Sequence, residues 1–270
     1  MSSQPTLALD RVLRVLQPLV RLLLRNGVTY TVFVAALKRV FLQAAQQELA
    51  ARGMAASDSA VSLLSGVHRR DVRTLLRGAA GAAPADAAPA GLGLVAQVVG
   101  RWMNSTEFVD AQGASRTLVR GGGPGSFDAL VAGASSDVRP KAVLDELLRL
   151  GVVHETDAGI ELERTGFAPR QGFEELSWIF AQNLQDHAAA AVANLQGEGD
   201  FLEQAVFVDE ISAESARHLH QVSVQAWKSA FKTVMAEAQT RFDGDAALAA
   251  PQERHHRARF GVYFYSERES

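Results

Sequence analysis

The chain has 270 residues and a mass of 29.0 kDa, with 47% apolar and 21% charged residues and no cysteine. This is the composition of a folded protein of two or three domains, and it excludes disulfides, thiolate metal sites and cysteine nucleophiles. The net charge of −3 conceals a gradient: 11 Lys and Arg against 4 Asp and Glu in residues 1–80, 8 against 11 in 81–170, and 8 against 15 in 171–270. A basic end on an otherwise acidic chain points to a polyanionic partner for that end.

In chain order, the first predicted element is a helix over Thr6–Arg25. At 100° per residue, Arg11, Arg14, Arg21 and Arg25 fall within an arc of about 80°, opposite a leucine-rich face, which reads as an amphipathic packing helix with a basic outer side. Pro18 is expected to kink or restart it. A second helix runs from Thr29, as its N-cap, to Arg52, with Lys38 and Arg39 on its outer side.

Ser57-Asp58-Ser59 then caps a short helix over Ser59–Ser65, followed by Gly66 and VHRRDVRTLLR. This is a helix-turn-helix pattern. Glycine at the sharp turn takes a positive φ without steric cost, and Val61, Leu64, Val67, Val72, Leu75 and Leu76 are spaced to face inward. On the second helix, residues 67–77, Arg69, Arg70, Arg73 and Arg77 share an arc of about 100° on the opposite side. A helix fits the DNA major groove, and guanidinium forks pair with phosphates or with guanine. The expected contacts are His68, Arg69, Arg70, Arg73 and Arg77, with Arg11, Arg14, Lys38 and Arg39 at the periphery. Asp71 is expected to relieve part of the repulsion among the arginines.

Residues 78–93 (GAAGAAPADAAPAGLG) have little to bury and read as a linker. Beyond them the pattern predicts an apolar helix over Leu92–Met103 and a strand pair, Phe108–Asp110 with Arg116–Val119. A short helix capped by Ser126 comes next, then a longer one capped by the Ser135–Asp137 cluster. A hairpin around Asp157-Ala158-Gly159 closes the segment. Three helices and a hairpin are the order of a winged helix. Glu155, Asp157, Glu161 and Glu163 make its wing acidic, which disfavours phosphate contact and suits a structural or protein-contact role.

The last hundred residues read as a helix over Phe173–Leu195, a strand over Phe201–Val208 and a helix from a Ser212 cap to about Phe242. A polar connection over 243–257 follows, then a strand over Phe260–Tyr265 that pairs with Phe201–Val208. Long apolar helices here are expected to build a homodimer.

The histidines and glycines suggest no chemistry. His218 and His220 diverge by about 200° on a helix. His154-Glu155-Thr156-Asp157-Ala158 lacks the second histidine of a zinc-protease motif, and there is no G-x-S-x-G. The Gly121–Gly125 loop (GGGPG) is not followed by Gly-Lys-Ser/Thr. No metal, cofactor or catalytic residue is expected, and the chain reads as a non-enzyme. No apolar run reaches the ~18 residues of a membrane span. Asp10, Arg11 and Arg14 interrupt the opening stretch where a signal peptide would be continuous. A cytoplasmic, nucleoid-associated protein with no membrane contact is expected.

The segments VRLLLRNGVTYTVF, SLLSGVHRRDVRTL, SSDVRPKAVLDELLRLGVV and FGVYFYSE resemble an uncharacterised bacterial family of unknown function whose members open with a helix-turn-helix. The likeness runs from about Val12 to Glu267. It implies a DNA-binding regulator and carries over no catalytic residue.

The expected architecture is mainly α with small β-hairpins. It comprises a basic helix-turn-helix domain (1–78), a linker (79–93), a winged-helix-like domain (94–170) and an acidic helical α+β domain (171–270) where dimerisation is expected. The expected function is a transcriptional regulator binding double-stranded DNA. The alternatives are a protein-interaction adaptor with a vestigial helix-turn-helix, and a ligand sensor with a C-terminal pocket near Trp178 and Trp227.

Overall fold

The computed structural model describes residues 3–79, 92–163 and 172–268. It is mainly helical with one small antiparallel hairpin among the described residues. The chain divides into two units, Met1–Ala87 and Ala88–Ser270. The boundary falls within the stretch read as a linker, of which residues 80–91 lie outside the described residues. The winged-helix-like segment and the C-terminal segment belong to a single unit.

The first unit contains α1 (Gln4–Arg25), α2 (Tyr30–Ala51), α3 (Asp58–Ser65) and α4 (Arg69–Ala79). Its core is small: Leu42, Ala45 and Leu49 of α2 close over Val61 of α3 and Val72 of α4, with Ala60, Val67 and Leu75 at the margin. These are inward positions of the 3.6-residue period, so three helices share one buried seam. The first helix behaves differently. It runs unbroken through Pro18 and buries none of its residues. Of the apolar face expected to pack, Leu9 and Leu24 are 58% and 61% exposed, while Leu16, Leu19, Val20 and Leu23 are half-buried.

The second unit is built around α5 (Leu92–Asn104), α6 (Phe127–Ala132), α7 (Pro140–Arg149), β1 (Val153–Thr156) and β2 (Gly159–Leu162). Trp102, Phe108, Phe127, Leu147 and Ile160 are central to its core. The Trp102 indole N–H donates to the carbonyl of Arg116 at 2.9 Å, and its ring meets Phe127 edge-on at 5.9 Å. A buried indole therefore keeps its one donor satisfied while its rings fill the core. The register of the hairpin pairs Val153 with Leu162 and Thr156 with Gly159. The strand pair expected over 108–119 is reduced to single bridges, Val109 to Ser115 and Leu118 to Ile160. The second of these lays Leu118 beside β2. At Gly159 (φ +138°) a Cβ would stand 2.5 Å from the Leu118 carbonyl oxygen, so glycine is required by both conformation and space.

The Ser126 and Ser212 caps form as expected, accepting from the N–H groups of Ala129 and Ser215. The cap of α7 is corrected: Arg139, not the serine cluster, stands at its N-cap position, and Ser135 instead closes a local turn with Asp137. Pro140 in the first turn starts this helix by fixing φ.

Two long helices follow, α8 (Phe173–Gln196) and α9 (Ala213–Leu248). The second of them continues past Phe242 into the stretch read as a polar connection. Trp178 and Ile179 of α8 pack against the core. The junction of α7 with α8 is ionic: Arg149 reaches Glu146 at 2.7 Å and also bonds Glu175. Both carboxyls are held below the ordinary glutamate value of 4.5. Glu146 is lowered chiefly by the hydrogen bond from Arg149; Glu175 is lowered by its own backbone N–H and then by Arg149. Carboxylates lowered on folding stabilise fully above their ordinary value, and the contribution disappears as pH falls through the lowered folded values. Melting followed by tryptophan fluorescence should therefore lose stability as pH drops below about 4.5. That acid dependence should flatten in a Glu146→Gln/Glu175→Gln variant.

The expected C-terminal strands do not form. Residues 201–208 and 260–265 carry no ladder, so this region is helical with segments of no regular secondary structure and not α+β. Side chains of α8 hold each segment separately. Asn194 both donates to the carbonyl of Phe201 and accepts from its N–H, at 2.9 and 2.8 Å. Asp186 pairs with Arg257 and with Arg259, each at 2.6 Å. His187 stands between the two segments, 3.2 Å from Glu203 and with its ring 5.8 Å from that of Tyr263.

Candidate nucleic-acid interface

The first unit presents α4 on a turn that its own side chains brace. Ser57 accepts from the N–H of Ala60 at 3.3 Å and starts α3. Gly66 ends that helix at φ 71° and ψ 2°, donating to the carbonyl of Ser62 at 3.0 Å. The Ser62 hydroxyl donates to the carbonyl of Val67 at 2.8 Å, and Ser65 accepts from the Val67 N–H at 3.2 Å. Three residues, Gly66 to His68, thus turn the chain with most of the freed backbone groups satisfied.

His68 lies just before α4, whose first residue is Arg69 and not Val67. Its Nδ1 accepts from the backbone N–H of Arg70 at 3.2 Å. The imidazole therefore caps the helix, and Nδ1 carries no proton in this arrangement. Val72 is fully buried, which turns the opposite side of α4 outward. Arg69 and Arg70 are exposed, and neither makes an ion pair among the described residues.

Two other charged groups of α4, Arg73 and Asp71, are paired. Arg73 donates through Nε to Asp58 of α3 at 3.2 Å. Asp71 bonds Lys38 of α2 at 2.7 Å, and this partner holds its carboxyl below the ordinary range. Asp71 thus bonds a lysine on the neighbouring helix first and also feels the charge of Arg70, while Asp58 pairs with Arg73. These two bridges pin α4 to α3 and to α2. They join residues 15 and 33 positions apart, a separation no local sequence pattern reports. The side chain of Arg77 lies outside the described residues. Arg39 of α2 and Arg11 and Arg14 of α1 are exposed and without an ion pair among the described residues.

The second unit offers a different surface. On the hairpin, Glu155 pairs with Arg120 at 2.7 Å, and Glu161 lies 3.3 Å from His154. The acidic wing is thereby partly neutralised from within its own unit. Trp178 packs against the core, and Trp227 meets Phe231 and Phe260 in tilted ring contacts at 5.5 Å each. Both rings are thus engaged in packing. No cluster of three or more metal-ligating side chains occurs among the described residues, and no described helix is long and apolar enough to cross a membrane.

The structure is thus that of a mainly helical protein whose basic unit turns a short arginine-bearing helix outward. The chain belongs to a family of unknown function, DUF6502, whose family model matches residues 7–269. No curated protein and no solved structure matches the chain.

Proposed function

We propose that this protein is a DNA-binding transcriptional regulator that presents α4 to the major groove of duplex DNA, acting as a binding protein and not as an enzyme. The observation that carries the reading is the division of labour on α4. Arg73 and Asp71 are engaged by neighbouring helices, while Arg69 and Arg70 are exposed and make no ion pair among the described residues. Two neighbouring guanidinium groups without an ion-pair partner repel each other, and a phosphate backbone removes that repulsion while releasing its own counterions. The helix–turn–helix arrangement supplies the presentation: a helix on a braced turn enters the groove as a rigid element. Arg11, Arg14, Lys38 and Arg39 would add backbone contacts at the periphery, Lys38 while remaining paired with Asp71. Two such chains on a two-fold axis would address half-sites about one DNA turn apart, roughly 34 Å. Nucleoid association follows from the same contact.

Titration of a mixed-sequence duplex at increasing salt tests the reading. Log affinity should fall linearly with log salt, with a slope of about −0.9 for each phosphate contacted. Absence of duplex binding at low salt, or binding indifferent to salt, overturns it.

A further inference from the structure

A cleft of about 400 Å³ opens in the second unit, where the loop before α6 meets the starts of α6 and α7. That volume lies within the range of small-molecule sites. Phe127, Pro140 and Leu144 give the cleft an apolar floor. Phe127 and Leu144 are each 1% exposed, and the Phe127 ring meets Trp102 edge-on, so the core itself sets this side of the cleft. Over the floor stand Arg120, Arg139 and Lys141, all exposed, with Asp128 as the one carboxylate in the lining.

The three cations are not equally engaged. Arg120 bonds Glu155 of β1 through one nitrogen at 2.7 Å. A guanidinium has five donors, so most of its fork stays available. Arg139 occupies the N-cap position of α7, but its side chain makes no capping bond. Neither Arg139 nor Lys141 has an ion pair among the described residues.

Cations from two separate segments above an apolar floor suit a ligand with a compact anionic head and an apolar body. A carboxylate takes up one guanidinium fork through its two oxygens. Two forks and an ammonium call for more acceptors. A phosphate monoester supplies three acceptor oxygens and about −1.5 to −2 charge at neutral pH, which two unpaired cations match. An extended polyanion is a poorer fit. Asp128 is in the lining, Asp137 and Asp145 flank Arg139 and Lys141 along the chain, and the hairpin carries Glu155 and Asp157. These carboxylates repel a phosphate backbone laid across the surface, while a single phosphate group avoids most of them.

We propose that this cleft binds a small phosphate monoester with an apolar body. Arg120, Arg139 and Lys141 hold the phosphate, and Phe127, Pro140 and Leu144 receive the body. The site belongs to the second unit alone and stands independently of duplex binding by α4.

Phenyl phosphate is the probe, titrated calorimetrically into the full chain. It should bind at one site per chain, inorganic phosphate should bind more weakly, and phenol should not bind. Arg139→Ala/Lys141→Ala should lower phenyl phosphate affinity at least ~10-fold, through two lost charge-assisted contacts. Helical circular dichroism and melting of that variant should match the wild type, because both side chains are exposed and unpaired among the described residues. Arg69→Ala/Arg70→Ala should bind phenyl phosphate as the wild type does. No saturable binding by the wild type in the millimolar range overturns the proposal, as does equal affinity in the wild type and Arg139→Ala/Lys141→Ala. Inorganic phosphate bound as tightly as phenyl phosphate also overturns it, since the apolar floor then contributes nothing. If Arg139→Ala/Lys141→Ala loses duplex affinity and the wild type does not bind phenyl phosphate, the cleft serves the nucleic-acid backbone and the proposal fails. Phenyl phosphate binding by a chain with no duplex affinity supports the proposal and counts against the DNA-binding reading alone.

Discussion

Replacing Arg69 and Arg70 together by alanine should weaken duplex binding at least ~30-fold, since each arginine contact to a base or phosphate contributes on the order of 1–3 kcal/mol. The same change should flatten the salt dependence by the equivalent of up to about two phosphates. Stability should scarcely move: both side chains are exposed and unpaired among the described residues, and such substitutions are usually neutral to within about 0.5 kcal/mol. Arg73 is the poorer probe of binding. Its guanidinium also anchors α4 to Asp58, so Arg73→Ala mixes a lost contact with a loosened helix. The matching control is Arg52→Ala on α2, which removes a positive charge paired with Glu48 at 3.1 Å. A mobility-shift titration should separate the two variants clearly. Equal affinities for wild type, Arg69→Ala/Arg70→Ala and Arg52→Ala would show that the outward face of α4 is not where DNA binds.

Leu42→Ala should destabilise the first unit by about 2–5 kcal/mol, the usual cost of deleting a buried leucine and leaving a cavity. Leu42 is 1% exposed and, with Leu49, is one of the two largest of the five buried residues that join α2, α3 and α4. So few residues cannot close the gap by repacking, and the loss is a large part of what a small domain has. The two units can be followed separately, because Trp102, Trp178 and Trp227 all lie in the second. Urea unfolding followed by far-ultraviolet circular dichroism should gain an early phase in the variant. The tryptophan transition should stay where it is in the wild type. Coincident shifts in both signals would mean that the units unfold as one body. Duplex affinity should fall with the early phase, since α4 keeps its orientation only through Val72 and the helices beneath it.

The agreement between sequence and structure follows the range of the interactions. Helix periods, the glycine turn at Gly66 and the serine caps at Ser57, Ser126 and Ser212 depend on residues within about four positions, and these features occur where the pattern places them. The basic character of the first unit was equally legible, because charge is a property of composition. The hairpin was visible in Asp157-Ala158-Gly159, although the bridge of Leu118 to Ile160 was not, since it joins distant parts of the chain.

The exposed arginines of α4 lie partly beyond that range. Four arginines on one helical arc are a sequence fact; which of them remain free depends on acids brought up from other helices. Asp58 engages Arg73, so it separates that anchoring arginine from the exposed Arg69 and Arg70. The C-terminal segments show the same limit more strongly. Residues 201–208 and 260–265 have the side chains of strands, but a strand exists only with a partner at ladder distance. Side chains of α8 engage them instead, Asn194 at Phe201 and His187 at Glu203 and Tyr263. Sequence alone therefore determined the helices, the turn and the sign of the charge, because each is set by neighbours along the chain. Tertiary structure decided which charges stay unpaired and which apolar faces stay open, because both depend on what folding brings across tens of residues.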